Sequence, residues 1–187
     1  EYTFYHLLAF TGLRCGEALG LMWSDVDFEN KRLSISRTAV VVNKKQTVQD
    51  PKTKMSKRVI TLDDETLNVL KIWKRQQIKE YFRVSVPYKH DSNYVFTNSF
   101  GDWISPSAVK ERLRRFFCEH NDIKKITPHG FRHTHASLLF EAGVTAKTIS
   151  DRLGHNNVQT TLDMYTHIND NQRFEVIDQL MDFIRSS

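Results

Sequence analysis

Residues suited to starting and stopping helices recur along almost the whole of this 187-residue chain, whereas β-branched runs are confined to one stretch between residues 32 and 62. That segregation constrains the fold more than any other feature. A single clustered β region builds a small antiparallel sheet, and the helices must pack around it. The expected class is α+β, mostly helical.

The elements follow from local signals. Tyr2 to Phe10 is almost continuously apolar, Thr11 and Gly12 interrupt it, and an apolar-periodic stretch from Leu13 to Leu21 predicts a second short helix. No capping residue precedes Tyr2, so the chain is expected to be a piece of a longer protein. Arg32 to Val42 and Lys57 to Leu62 favour strands of one small sheet. Between them lies Pro51-Lys52-Thr53-Lys54, a basic turn or short strand that no core requires.

Asp63-Asp64-Glu65 suits a helix N-terminus, and Leu67, Leu70, Trp73, Ile78 and Phe82 recur on one side to about Arg83. Ser105-Pro106 opens a helix through Glu119, and Thr127-Pro128 opens another that runs to Glu141 and stops at Gly143. Shorter helices are predicted over Ala146 to Leu153 and Val158 to Tyr165. A terminal helix from Asn171 carries Phe174, Ile177, Met181 and Ile184 on one stripe.

With 40% apolar and 26% charged residues, the length suits one domain. The 27 Lys and Arg against 22 Asp and Glu leave +5, and the pI of about 9.2 makes nucleic acid a candidate partner. No run of eighteen apolar residues exists and the first residues do not read as a signal peptide, so no membrane partner is expected. Cys15 and Cys118 form neither a disulfide framework nor a CxxC metal site, which fits a reducing cytoplasm.

Chemistry concentrates in Arg14, Lys52, His129, Arg132 and His155, with Tyr165 after them. Two arginines, two histidines and a lysine supply donors and almost no carboxylate, as a site holding one phosphodiester without a metal would. A tyrosine in such a site is a candidate nucleophile. Singly, each residue has a dull reading: Arg14 with Glu17 is also an ordinary i,i+3 helix pair. His133 and His135 are two apart and face different ways, and no carboxylate or cysteine completes a set with His129 and His133, so no metal is expected. Val144 to Tyr165 can also be read as a helix-turn-helix, which would make the chain a DNA-binding module without catalysis.

Taken together, Thr11-Gly12-Leu13-Arg14-Cys15-Gly16-Glu17, Pro51-Lys52-Thr53-Lys54, His129-Gly130-Phe131-Arg132-His133-Thr134-His135, Leu153-Gly154-His155 and Met164-Tyr165 closely resemble the tyrosine recombinase (phage integrase) family in order and spacing. The likeness covers residues 1–187 as that family's catalytic domain, with 171–185 as its tail helix, and is nearest to integrases of Gram-positive phages and integrative elements. The resemblance implies that Tyr165 attacks a phosphate of double-stranded DNA to give a 3′-phosphotyrosyl bond, with no cofactor and no metal. It implies that Arg14 and Arg132 grip the phosphate, Lys52 or its rival Lys54 protonates the leaving oxygen, His129 accepts or orients the tyrosine proton and His155 donates to a phosphate oxygen. Glu17 is expected to hold an arginine rather than move a proton. Also implied are a homotetramer on DNA, accessory DNA-bending or directionality proteins, core- and arm-binding modules N-terminal to this chain, and the cytoplasm of a bacterial host. The tail helix would dock on its own or on a neighbouring protomer.

Overall fold

Four helices open where a side-chain oxygen can satisfy a free backbone N–H. Asp63 accepts the Thr66 N–H at 2.8 Å, Ser105 that of Ala108 at 3.1 Å, Thr127 that of Gly130 at 3.0 Å and Thr145 that of Thr148 at 3.3 Å. Pro106 and Pro128 add a preset φ at the first helical position. The computed structural model describes residues 1–42, 45–49, 56–85, 87 and 93–166. Lys52, Lys54 and the expected terminal helix from Asn171 lie outside the described residues.

In chain order the elements are helices α1 (Tyr2–Thr11) and α2 (Cys15–Leu19), strands β1 (Val26–Asp27), β2 (Arg32–Ile35), β3 (Thr38–Val42), β4 (Lys45–Gln49) and β5 (Arg58–Thr61), then helices α3 (Asp64–Arg83), α4 (Pro106–Glu119), α5 (Pro128–Glu141), α6 (Ala146–Leu153) and α7 (Val158–Thr166). The second helix is shorter than the Leu13 to Leu21 periodicity predicts. Arg14 holds extended backbone at φ −68°, ψ 146°, and the Glu17 carboxylate reaches back to its N–H at 2.9 Å, which fixes the start one residue later.

The expected single sheet is two antiparallel pieces. Among the described residues, strands β1, β2 and β5 form one in that order, and β3 pairs with β4. The chain leaves the first sheet at Ser36-Arg37, where Arg37 bonds the Asp25 carboxylate at 3.1 Å. It then runs against α2, whose Gly16 faces the Ala39 carbonyl so closely that a Cβ there would sit 2.7 Å from it. Leu33 pairs with Ile60 and Ile35 with Arg58. Leu33, Ile35 and Ile60 are buried while Val59 is 60% exposed, so the alternation of β5 turns Arg58 inward.

Phe4, Leu7 and Leu8 of α1, Leu67 and Leu70 of α3, and the inner sheet face form the main core. Trp23, 1% exposed, closes it, with its indole N–H donated to Gln77 at 2.7 Å. A smaller cluster of Ala136, Ile149 and Leu153 joins α5 to α6. Helices α1 and α5 pack together, and α7 rests on α5 and α6. These contacts bring the Gly12 turn, α5 and the end of α6 to one place.

Candidate active site

Helix α6 ends in Gly154, which takes the left-handed φ of 68° that glycine adopts without penalty. The resulting cap satisfies two of the free carbonyls at the helix end: Gly154 N–H bonds Asp151 O at 3.2 Å and His155 N–H bonds Ser150 O at 3.0 Å. The next three are taken by arginines from β5, α5 and the turn that precedes α2. Arg58 Nε donates to Arg152 O at 2.7 Å, Arg132 Nη2 to Leu153 O at 2.8 Å and Arg14 Nη2 to Gly154 O at 3.2 Å. A helix C-terminus carries partial negative charge, so three guanidinium groups can gather there without three carboxylates.

Among the described residues one carboxylate serves the cluster. Glu17 is 4% exposed and accepts from Arg14 Nη1 at 2.8 Å and from both Arg58 Nη groups at 3.0 Å. Burial pushes the Glu17 carboxyl up, but the Arg58 hydrogen bond and charge and then those of Arg14 outweigh it and hold it below its ordinary value. Arg132 is 1% exposed. It also donates Nη1 to Gly12 O at 2.9 Å, and its Nε finds no acceptor among the described residues. Burial, then the charge of Arg14, brings its guanidinium down to about 9, which leaves it protonated at neutral pH.

His155, His129 and His135 all have pKa values below the ordinary histidine value. Burial and then the charges of Arg132, Arg14, Arg58 and His129 press His155 down to about 4. Its Nδ1 lies 2.7 Å from the Thr161 hydroxyl of α7. His129 sits in the first turn of α5, packed edge-on against His133 with ring centroids 4.6 Å apart. Burial, His133, Arg132 and Arg14 lower its pKa, so its ring is free to take up a proton. His135 is a different case: it is buried, donates Nδ1–H to Ala9 O at 3.0 Å and accepts from Arg152 Nε at 3.2 Å.

Beside Arg14 and His129 opens a groove of about 650 Å³ between α4 and the start of α5. Lys110, Arg114 and Lys125 stand on its walls with those two residues, over Leu113 and Phe117, and no carboxylate is among its described lining. The exposed surface of this groove is mainly apolar and Arg114 is paired with Glu111 at 2.8 Å, so the basic groups form an edge beside the arginine cluster rather than a uniformly charged bed.

The sequence profile of the phage integrase family matches residues 1–172. The chain belongs to the phage integrase family. It is 35% identical over 182 residues to the ICEBs1 integrase of Bacillus subtilis (strain 168), covering 97% of this chain and 49% of that one. It is 34% identical over 177 residues to the integrase of Staphylococcus phage L54a, covering 92% and 49%. The chain spans about half the length of the curated relatives it matches. The fold is similar to that of the Tn1549 transposon integrase in complex with circular intermediate DNA, with a TM-score of 0.81, 25% identity and coverage of 96% of this chain and 59% of that one. It is also similar to XerA recombinase, with a TM-score of 0.69, 27% identity and coverage of 95% and 57%.

Of the residues singled out in this family member's sequence, Arg14, Glu17, Arg132 and His155 converge at the end of α6, and His129 borders the same recess. Tyr165 lies in the last turn of α7, four residues after Thr161, with its side chain outside the described residues. Lys52 and Lys54 also lie outside them. Sequence reasoning missed Arg58, although it alternates with Ile60 along β5, and a charge at an inward strand position is a signal in its own right.

Proposed function

We propose that this chain is the catalytic domain of a tyrosine-type site-specific DNA recombinase that integrates or excises a mobile element. The observation that carries the reading is the rank of successive carbonyls, Arg152, Leu153 and Gly154, held by Arg58, Arg132 and Arg14 directly before His155. It fixes two motif arginines and a motif histidine around one point, with a surplus of positive charge for a phosphodiester to offset. Family membership supports the same reading.

In the proposed reaction the Tyr165 oxygen attacks the phosphorus of one DNA strand. The tyrosine proton passes to neutral His129, the P–O5′ bond breaks, and Lys52 protonates the departing 5′ oxygen. Arg14 and Arg132 offset the charge that grows on the non-bridging oxygens, and His155 donates Nε2–H to one of them while its Nδ1 accepts from Thr161. Glu17 holds Arg14 in place. Attack by a 5′-hydroxyl of another strand on the phosphotyrosine then reseals the backbone, so neither ATP nor a metal ion enters the balance. A tetramer on duplex DNA, with DNA-bending or directionality proteins, belongs to the same proposal and rests on family membership. A helix-turn-helix reader built on α6 and α7 accounts for none of the guanidinium contacts.

The test is relaxation of supercoiled plasmid in EDTA without ATP, quenched with detergent. A protein–DNA adduct that forms with the wild type and is absent with Tyr165→Phe supports the reading; relaxation by Tyr165→Phe refutes it.

A further inference from the structure

The Arg58 side chain is 7% exposed and its partner Glu17 5%. Exposure alone does not separate the arginines, since Arg132 is 1% exposed. Donors do: Arg58 has Nε and both Nη groups committed to Arg152 O, Ser56 O and Glu17, whereas Arg132 keeps an Nε–H with no acceptor among the described residues. Arg14, whose side chain is 40% exposed, reaches the surface. Yet Arg58 makes more contacts to the site than any phosphate-facing residue needs. Its fork spans both Glu17 oxygens at 3.0 Å, its Nε holds the Arg152 carbonyl at 2.7 Å, and Nη1 lies 3.3 Å from Ser56 O. A Cβ on Gly154 would sit 2.8 Å from Arg58 Nη1, so the turn before His155 is packed directly on this guanidinium. Glu17 in turn grips Arg14 twice, at its backbone N–H and at Nη1. Arg58 also opens β5, immediately after the segment that contains Lys52.

Taking the recombinase reading as given, we propose that Arg58 is a positioning residue for strand cleavage, locking Glu17 and the end of α6 together so that Arg14 and His155 face the phosphate in one fixed frame. The physical requirement is a rigid planar fork with a third donor at right spacing. Lysine supplies one charge and no fork, so it can neutralise Glu17 but cannot hold two carboxylate oxygens and a carbonyl together. An Arg14 released from this frame still attracts DNA by charge, but its remaining N–H groups no longer meet the transition state in a fixed direction. The loss therefore falls on the cleavage rate and not on affinity.

The experiment compares wild type, Arg58→Lys, Arg14→Lys and the double variant in the plasmid assay, measuring DNA affinity by titration and the rate of detergent-trapped adduct well below the Tm of every variant. Arg58→Lys is expected to bind plasmid within about twofold of wild type while adduct formation slows roughly 10- to 100-fold. Because the effect passes through Arg14, the double variant should lose much less than the product of the two single losses. Glu17→Gln approaches the link from its other end and must show the same split between affinity and rate, which keeps the test valid should Arg58→Lys fail to fold. Wild-type adduct rates in folded Arg58→Lys, a loss in Glu17→Gln or in folded Arg58→Lys that tracks DNA affinity, or fully multiplicative losses with Arg14→Lys would overturn the assignment. Absence of any adduct from the wild type would instead overturn the recombinase reading on which it rests.

Discussion

His135 and His155 make the fold sensitive to mild acid. Each is pressed from an ordinary value of 6.5 to about 4, His135 by burial first and then by Arg152, and His155 by burial first and then by Arg132. Protonating His135 would put a second N–H against the Arg152 Nε–H that its Nε2 now accepts. A folded-state pKa below the unfolded one means that the unfolded chain binds the proton first. The stabilisation is complete above about pH 6.5 and drains away as pH falls toward 4. At pH 5.5 an unfolded histidine is roughly 90% protonated while the folded ones remain neutral, a difference of about 1.3 kcal/mol each and about 2.5 kcal/mol for the pair. His129, lowered by its own burial and neighbours, acts in the same direction. Glu17, whose carboxyl is held below its ordinary value by Arg58 and Arg14 against the effect of burial, also loses its contribution as pH falls. For a domain of this size the Tm should fall by about 5–10 °C between pH 7.5 and pH 5.5 at constant ionic strength. His135→Gln, whose amide can still donate to Ala9 and accept from Arg152, should lose about half of that dependence. A Tm that is flat or rises over this interval, or a full slope retained in His135→Gln, would show that the buried neutral histidines do not set the acid sensitivity of the fold.

Three further outcomes are expected. Tyr165→Phe should bind plasmid normally and give no detergent-stable adduct, read on a denaturing gel. Arg132→Lys replaces two fixed carbonyl bonds, to Gly12 and Leu153, by one mobile charge, so its adduct rate should drop about 10²–10³-fold with the fold intact by circular dichroism. Gly12→Ala puts a Cβ 2.5 Å from Leu153 Cδ2 and 2.7 Å from His135 Cδ2 at a φ of 66°; left-handed backbone and overpacking together should cost about 2–4 kcal/mol, measured by urea unfolding.

The parts of this fold legible in sequence are those decided within one turn of chain. Thr127-Pro128, Ser105-Pro106 and Asp63 each carry their own capping oxygen, and α5, α4 and α3 begin there. Helix α2 begins differently, with an arginine at the cap and a glutamate reaching back to it, so apolar periodicity overran it at both ends. The break at Ser36-Arg37 depends on Asp25 and on the flat back of α2, both remote in sequence. The site shows the same division. Arg14 with Glu17 is a local i,i+3 pair and could be anticipated, whereas Arg58, the second partner of Glu17, comes from 41 residues away and is brought there by tertiary packing. What no spacing rule contains is that three arginines would meet three consecutive carbonyls.

Around Glu17, among the described residues, stand Arg14, Arg58 and Arg132, three positive groups against one negative; burial first, and then repulsion from Arg14 and Arg58, lowers the Arg132 pKa. A helix end offsets part of this excess through partial charge alone, so a phosphodiester that enters the site relieves repulsion as well as making new bonds. The protein without DNA should therefore be stabilised by a tetrahedral dianion that fits the site. Sulfate at 100 times its Kd would contribute about 2.7 kcal/mol and raise the Tm by about 5–10 °C, with chloride used to keep ionic strength constant. Arg14→Gln removes the most accessible of the three charges and one of the donors, and should abolish most of the rise. An equal rise in Arg14→Gln would locate the anion elsewhere on the basic surface and remove the electrostatic argument for this cluster as the phosphate site.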